Sequence, residues 1–119
     1  MIVSKLEELK TETVDLPGVT GVLVQNFLGP EQKLPDFLVR VFTLEPGGCT
    51  ALHHHPGEHL HFVLSGEGML VGAAGERRAV GPGDFAFIAP DEFHQFVNAS
   101  EEEPVRFLDV VGKFGSEIS

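Results

Sequence analysis

The sequence contains a single cysteine, few basic residues and no long apolar run, and each shortage narrows the class of protein. Cys49 has no partner for a disulfide within the chain, which fits a reducing compartment, so we expect a cytoplasmic protein. No apolar run approaches the roughly 18 residues that a membrane span needs, and we expect no membrane partner. The segment Met1–Lys5 also lacks the apolar region and the cleavage site of a signal peptide.

Acidic residues outnumber basic residues by 18 to 8, which gives a formal net charge of −10 at pH 7. Such a surface repels phosphate backbones, so nucleic acid is not an expected partner. The 119 residues, of which 42% are hydrophobic, are enough to bury one core without disulfides. We therefore predict a single domain over residues 1–119.

Turn-forming residues recur at short intervals, with 14 glycines and 8 prolines spread along the chain. Short runs rich in Val, Phe, Leu and Ile lie between them, a spacing typical of an all-β sandwich or barrel. The predicted strands are residues 21–27, 37–44, 51–55, 59–65, 69–73, 76–80, 85–88, 94–98 and 105–111. Ser4 and Glu7 have capping-box spacing, so the first dozen residues form either a short helix or an extended arm.

Five of the six histidines fall within residues 53–61. Because side chains alternate across a strand, His53 and His55 should share one face while His54 points to the other. A turn at Pro56–Gly57 would return His59 beside that pair, and His94 opens a strand after a later turn. Neutral imidazole is the commonest metal ligand in proteins. Two hairpins that face each other across a barrel would therefore bring four metal ligands together.

These histidines belong to two longer patterns that resemble the motifs of the cupin family. The first motif runs from a glycine through His-x-His and a glutamate to a closing glycine, and the second combines a glycine, a histidine and an asparagine. The matching residues are Gly47, His53, His55 and Gly66 in the first motif and Gly83, His94 and Asn98 in the second. The resemblance covers about residues 37–111, after an N-terminal arm of residues 1–16. It implies a cupin barrel, which is a double-stranded β-helix or jelly roll of antiparallel strands.

The sequence departs from the family motifs in two places. His59 stands where the first motif has glutamate, although a one-residue bulge would exchange it with Glu58. In the second motif Ala89 stands where proline is expected, and Asp91 replaces the glycine. With His59 as a ligand, the resemblance implies an all-histidine site for one divalent transition metal ion (Mn, Fe, Zn, Ni or Cu), held by His53, His55, His59 and His94. Nitrogen ligands disfavour Mg and Ca, and losing the carboxylate makes the site more cationic.

Three further residues are candidates for a catalytic role. His61 shares the strand parity of His59 and is either a proton shuttle or an inert interior histidine. Arg40 interrupts an apolar strand and either binds a substrate carboxylate at the barrel mouth or pairs with an acid. Asp109 interrupts another strand and is either a base near the metal or a structural carboxylate.

The fold leaves several functions open. By resemblance, the first hypothesis is a metal-dependent dioxygenase or oxidoreductase acting on a small molecule, with an isomerase or a lyase as an alternative. A binding or sensing module without turnover is another, and a purely structural metal is a third. The resemblance also implies a homodimer, since small cupins often pair their sheets or exchange N-terminal strands.

Overall fold

A computed structural model describes residues 1–29 and 36–112, and within them nine strands form one antiparallel sheet. The strands are β1 (Thr11–Thr13), β2 (Thr20–Leu28), β3 (Phe37–Cys49), β4 (His59–Ser65), β5 (Gly68–Gly72), β6 (Arg77–Val80), β7 (Phe85–Ile88), β8 (His94–Val97) and β9 (Val105–Gly112). No helix in this part of the chain is long and apolar enough to cross a membrane.

The strands follow the order β6-β5-β8-β3-β9-β4-β7, and β2 pairs with β1 and with β3. The sheet rolls into a nearly closed barrel, since β6 and β7 are the ends of this order and no pairing between them is present in the described chain. This architecture confirms the predicted all-β, double-stranded β-helix fold. The seam of the barrel therefore lies between β6 and β7.

The strand predicted over residues 51–55 is wrong. The preceding strand, β3, runs on to Cys49, and beyond it only an isolated bridge joins His53 to His94. The cause lies at Thr50, whose Oγ1 accepts a hydrogen bond from the Phe96 amide at 2.9 Å. In a regular ladder a backbone carbonyl would accept this hydrogen bond. Because the Thr50 side chain accepts it instead, residues 50–55 run past β8 without adding a strand to the sheet.

The N-terminal segment contains a 3₁₀ turn at Leu6–Glu8, followed by β1. Ser4 does not cap this turn, because Lys5 is the preceding residue and no side chain caps the turn's first amides. The buried Gln25 side chain holds the turn in place by donating hydrogen bonds to the carbonyls of Leu6 at 2.8 Å and Leu9 at 3.1 Å. The arm is thus attached to β2 by one turn and one short strand.

The apolar core fills one end of the barrel. Its fully buried members include Val22, Leu44 and Val105, and the rings of Phe96 and Phe107 stack at 4.2 Å. Gly68 makes room for this stack, because a Cβ at that position would meet the Phe96 ring. Strand β9 alternates buried and half-buried residues along its whole length. Its inward residues change from valine and phenylalanine to Asp109 where the core ends and the polar interior begins.

Candidate metal centre

Three central strands place a charged row directly above the core. Arg40 on β3, Asp109 on β9 and His61 on β4 are Cα partners in register across the sheet. All three are nearly inaccessible to solvent, with 2%, 0% and 3% of their surfaces exposed. A buried carboxylate requires compensation by charge and hydrogen bonds. Arg40 and His61 provide this compensation for Asp109, because residues paired in register on one face of a sheet lie within contact distance.

Asp109 is the centre of this network. Its Oδ2 accepts hydrogen bonds from Arg40 Nε at 3.0 Å and from Arg40 Nη2 at 2.7 Å. Its Oδ1 accepts a hydrogen bond from His59 Nδ1 at 2.7 Å, and His61 Nε2 lies 3.2 Å from the same oxygen. Both carboxylate oxygens are therefore engaged. The carboxylate fixes the orientation of the His59 ring, since Nδ1 must carry the proton that it donates.

The hydrogen bonds of three imidazoles define where their remaining lone pairs point. His55 Nδ1 donates to the Gly57 carbonyl at 3.0 Å, and His94 Nδ1 donates to the Glu92 carbonyl at 2.8 Å. A carbonyl only accepts, and His59 Nδ1 is likewise committed to a carboxylate. In the neutral rings, Nε2 therefore carries the lone pair.

These Nε2 atoms converge. His55 Nε2 lies 2.8 Å from His59 Nε2, so two lone pairs face each other at a separation that is repulsive unless a cation or a proton lies between them. His94 Nε2 is buried and has no hydrogen-bond partner among the described residues. Nitrogens bound at about 2.1 Å to one ion lie roughly 3.0–3.4 Å apart, close to the observed spacing. The donor set therefore fits a transition metal ion.

The other predicted ligand also lies beside this cluster. The ring of His53 is 5.1 Å from that of His55 and 5.0 Å from that of His94 between centroids. His54 points outward, with 49% of its side chain exposed and Nδ1 3.5 Å from an Asp91 oxygen. The alternation expected for His53, His54 and His55 therefore holds even though these residues are not in a strand.

The possible ligand atoms form two groups rather than one. His53, His55 and His94 make the first group, and His59, His61 and Asp109 make the second. The 2.8 Å contact between His55 and His59 joins the two groups. Structure and sequence thus agree on which four histidines come together, while His61 and Asp109 lie directly behind His59.

Arg40 does not reach the barrel mouth. Its guanidinium carbon lies 5.0 Å from the centroid of the Phe42 ring inside the barrel, and the Asp109 carboxylate takes both of its hydrogen bonds. The structure thus shows the second alternative left open by the sequence, an arginine paired with an acid. Sequence could not choose between the two alternatives, because the register that sets Arg40 opposite Asp109 joins residues 69 positions apart.

The second cupin motif shows why its departures leave the site intact. Asp91, which replaces the expected glycine, has a φ of +61°, a conformation that aspartate tolerates better than most residues. Asn98 is buried and donates hydrogen bonds to the carbonyls of Leu44, Glu45 and Glu103. The positive φ that glycine would adopt is kept at Asp91, and Asn98 ties strand β3 to the loop that precedes β9.

Burial favours the neutral form of two cluster histidines, His94 and His55. Desolvation, with smaller contributions from the imidazoles of His53, His55 and His59, lowers the pKa of His94 to about 4 against the opposing hydrogen bond to Glu92. Desolvation, and then the charge of His59, also lower the pKa of His55. Burial alone would raise the pKa of Asp109, but the contacts with His59 and His61 and the charge of Arg40 hold it far below the ordinary carboxyl range. His55 and His94 are therefore neutral nitrogen donors near neutral pH, close to an Asp109 carboxylate that stays ionised there.

We expect the metal-free protein to lose stability as the pH falls from 6.5 to 4. The folded state binds a proton at His94 less readily than the unfolded chain, so the unfolded chain gains protons first in this interval. The shift at His94 corresponds to about 3 kcal/mol. Urea unfolding of the metal-free protein at pH 7.0, 5.5 and 4.0 measures the effect, and His94→Gln should flatten the profile. A profile without slope in the wild type would contradict neutral burial of His94.

A cleft of about 680 Å³ lies between β6 and β7, and His94 is the one member of the histidine cluster among its lining residues. Arg78 and Glu76 are among the others. Sequence reasoning missed both. The signal available in the sequence is strand alternation on β6, which puts Arg77 and Arg78 on opposite faces of the strand. Alternation does not say which face of an edge strand points into the barrel.

The family model for the cupin domain matches residues 40–111, which is more than half of the chain. The chain belongs to the cupin family. This cupin is 34% identical over 109 residues to gentisate 1,2 dioxygenase 1 of Aquipseudomonas alcaligenes. That match covers 92% of the cupin but 29% of its relative, so the chain spans less than a third of the relative's length.

Solved structures show the same barrel. The cupin is 30% identical to the polyketide cyclase RemF from Streptomyces resistomycificus, with a TM-score of 0.87, covering 98% of this chain and 80% of that one. It is 28% identical to a sugar phosphate isomerase of the cupin superfamily from Silicibacter pomeroyi, with a TM-score of 0.79, covering 94% of this chain and 76% of that one. The names of these proteins span oxidative and non-oxidative chemistry, so the function must be argued from the site.

Proposed function

We propose that this cupin binds one divalent transition metal ion (Mn, Fe, Zn, Ni or Cu) through His53, His55, His59 and His94. The observation that carries the proposal is the 2.8 Å contact between the lone-pair nitrogens of His55 and His59, with the free Nε2 of His94 beside it. A cation removes the repulsion between these lone pairs. Without a cation, no positive charge would offset the repulsion between these buried nitrogen lone pairs.

The second group of ligand atoms does not suit a second ion. Asp109 already accepts two hydrogen bonds from Arg40 on one oxygen and one from His59 on the other. An ion bound there would displace the proton of His59 and place a second cation beside the Arg40 guanidinium. A single ion at the four histidines, with Asp109 behind His59, leaves every one of these hydrogen bonds in place. This is the arrangement in which a carboxylate orients a metal-bound histidine.

The proposed activity is that of a metalloenzyme, of dioxygenase or other oxidoreductase type, acting on a small oxygenated molecule. A bound ion would supply a Lewis-acidic centre whose remaining positions accept O2, water or substrate oxygens. Asp109 orients His59, its contacts with His59, His61 and Arg40 keep Asp109 ionised, and the cleft beside His94 admits the substrate. The similarity to a gentisate dioxygenase supports oxidation of a ring-bearing substrate.

A second candidate is proton transfer without oxidation, as in an isomerase, lyase or cyclase. It is favoured by His61, whose Nδ1 and Nε2 are buried without a well-aligned hydrogen bond among the described residues. His61 Nε2 nevertheless lies 3.2 Å from Asp109 Oδ1, and its ring packs 4.7 Å from that of Phe107. Histidine is the side chain that most often serves as a general acid or base.

Oxygen uptake separates the two candidates. Protein reconstituted with Fe(II) should consume O2 when gentisate is added, in an oxygen electrode and with product followed by absorbance. Conversion of a substrate without O2 uptake would instead support proton transfer at His61, and His61→Phe should then abolish it. A ligand that raises the melting temperature of the protein but is never converted would instead indicate a binding or sensing module.

We also propose that the cupin is a cytoplasmic homodimer that pairs the outer face of β4 and β7. Phe85, Phe87 and Leu60 lie on this face with 70%, 65% and 42% of their surfaces exposed, and Phe62 lies beside them. Large exposed apolar patches mark interaction surfaces. Because this face carries no acidic residue in a chain of charge −10, a second copy of the chain can approach it without charge repulsion.

Sedimentation should give the mass of two chains for the wild type, and Phe87→Ser should shift that mass toward one chain. A monomer in the wild type would rule the dimer out.

A further inference from the structure

One buried ion pair, Arg40 and Asp109, lies directly behind His59. Within the part of the chain that the structure describes, these two are the only buried residues of the Asp, Glu, Lys and Arg group. Replacing a buried ion pair by a well-packed apolar pair is often neutral or even stabilising. Stability alone therefore does not explain why Arg40 and Asp109 lie behind a histidine of the proposed metal centre.

The two oxygens of the Asp109 carboxylate have separate partners. Both hydrogen bonds from Arg40 go to Oδ2, from Nε at 3.0 Å and from Nη2 at 2.7 Å. The His59 ring donates from Nδ1 to Oδ1 at 2.7 Å, and His61 Nε2 lies 3.2 Å from that same oxygen. Arg40 therefore does not compete with His59 for an acceptor. It adds a positive charge at the far oxygen of the carboxylate that His59 uses.

This charge changes the donor strength of the His59 ring. A carboxylate that accepts the Nδ1 proton of an imidazole makes the other ring nitrogen more basic, and a more basic ligand stabilises the more oxidised form of a metal ion. Hydrogen bonds behind the ligands are one means by which proteins set reduction potentials. A cation on the same carboxylate acts in the opposite direction, because it draws negative charge away from the oxygen that faces the ring.

Burial keeps these interactions strong. The side chains of Arg40, Asp109 and His59 are 2%, 0% and 0% exposed. Water therefore does not screen the guanidinium from the carboxylate, or the carboxylate from the ring. A change of charge at Arg40 should consequently reach the Nδ1 hydrogen bond of His59.

Arg106 offers a contrast on β9, the strand that carries Asp109. It alternates with the buried residues of β9 and so lies on the outer face of the sheet. There it donates to Thr43 Oγ1 at 3.2 Å and to Gln25 Oε1 at 3.1 Å, both neutral oxygens. Of these two arginines, Arg40 is the one whose carboxylate partner is hydrogen-bonded to a proposed metal ligand.

We propose that Arg40 is a positioning residue of the metal centre, which acts through Asp109 to raise the reduction potential of the ion held by the four histidines. The proposal rests on the metal centre proposed above. By binding Oδ2, Arg40 limits the negative charge that Oδ1 presents to His59. The site therefore favours the reduced, less highly charged ion more than it would without the guanidinium.

Copper-loaded protein tests the proposal, because the Cu(II)/Cu(I) couple exchanges one electron and Cu(II) ranks highest in the Irving–Williams order. Spectroelectrochemical titration at pH 7 measures the potential, and electron paramagnetic resonance of Cu(II) reports whether the nitrogen ligands are retained. Arg40→Gln keeps a hydrogen-bond donor but loses the charge. It should favour Cu(II) over Cu(I) about tenfold more than the wild type does, a fall of about 59 mV.

Two further variants serve as controls for the charge at Arg40. Arg40→Lys restores the positive charge, and its potential should correspond to within about twofold of the wild-type equilibrium. Arg106→Gln removes a charge from the other face of the same sheet and should leave the potential unchanged, since Arg106 contacts neutral oxygens.

Two variants without the carboxylate test whether Arg40 acts through Asp109, and they do so even if Arg40→Gln does not fold. Asp109→Asn should raise the potential above that of the wild type, because His59 loses its charged acceptor. Adding Arg40→Met to Asp109→Asn should keep the equilibrium within about twofold of the single variant, because the guanidinium then has no carboxylate to act on.

Four results would overturn the inference. They are an unchanged or higher potential in Arg40→Gln, an equal fall in Arg106→Gln, no rise in Asp109→Asn, and a double variant whose potential lies below that of Asp109→Asn. The last would show that Arg40 acts on the ion without Asp109. Loss of the nitrogen ligands in Arg40→Gln would also overturn it, since Arg40 would then be needed to form the site. Failure of the wild type to bind copper through nitrogen ligands would instead count against the proposed metal centre.

Discussion

Replacing Asp109 with asparagine is expected to weaken zinc binding by about 10- to 100-fold, the usual effect of removing a carboxylate that orients a metal-bound histidine. The side chain keeps its shape, but its amide nitrogen faces either Arg40 or His59, both of which are donors. If the nitrogen faces His59, that ring loses the acceptor that fixes its tautomer and points Nε2 toward His55; if it faces Arg40, His59 keeps only a neutral acceptor in place of a carboxylate. Competition titration against a chromophoric zinc chelator measures the affinity.

The same variant also leaves the Arg40 guanidinium buried without its counter-charge. Breaking a buried pair in this way costs about 3–5 kcal/mol, a large part of the stability of a small domain. The double variant Arg40→Met, Asp109→Asn removes both charges and should recover most of that loss in urea unfolding. Its zinc affinity should stay as low as in the single variant. Wild-type affinity in either variant would contradict the role given to Asp109.

Replacing His59 with alanine is expected to weaken zinc binding by on the order of 100-fold or more. Four-ligand zinc sites bind with about 10–16 kcal/mol, so the loss of one ligand removes roughly a quarter of that energy. His59 is completely buried and touches the lone-pair nitrogen of His55. Its replacement removes a ligand from the centre of the cluster and one hydrogen bond from Asp109.

Two neighbours serve as controls for His59. His54 has half of its side chain in solvent and contacts Asp91, and Glu58 is exposed. Alanine at either position should change zinc affinity by less than about threefold, since neither side chain joins the cluster. Equal effects at positions 54, 58 and 59 would contradict the ligand assignment. A larger effect at Glu58 than at His59 would mean that the chain uses the family's carboxylate after all.

Much of the site could be predicted because it depends on local alternation. The side chains of His53, His55 and His59 share the barrel interior while His54 lies outside, as expected from spacing in the chain. Alternation is a property of the backbone and survives small errors in strand boundaries. The outline of the barrel was predictable for a similar reason, since turn residues mark the ends of short strands.

The parts that could not be predicted depend on long-range register. Arg40, Asp109 and His61 lie in one row only because β3, β9 and β4 pair with particular offsets. A shift of two residues would leave each side chain on the same face with different neighbours. The end of β3 at Cys49 likewise depends on a hydrogen bond between Thr50 and Phe96, 46 residues apart. Sequence named Arg40 and Asp109 as candidates but could not show that they neutralise each other.

The number and identity of bound ions test the central claim most directly. The protein, purified without chelators, is analysed for metals by inductively coupled plasma mass spectrometry, and the intact holoprotein is weighed by native mass spectrometry. The account predicts one divalent transition metal ion per chain in the wild type, and strongly reduced occupancy after His59→Ala. A wild-type protein without metal, or with two ions per chain, would contradict a single four-histidine centre.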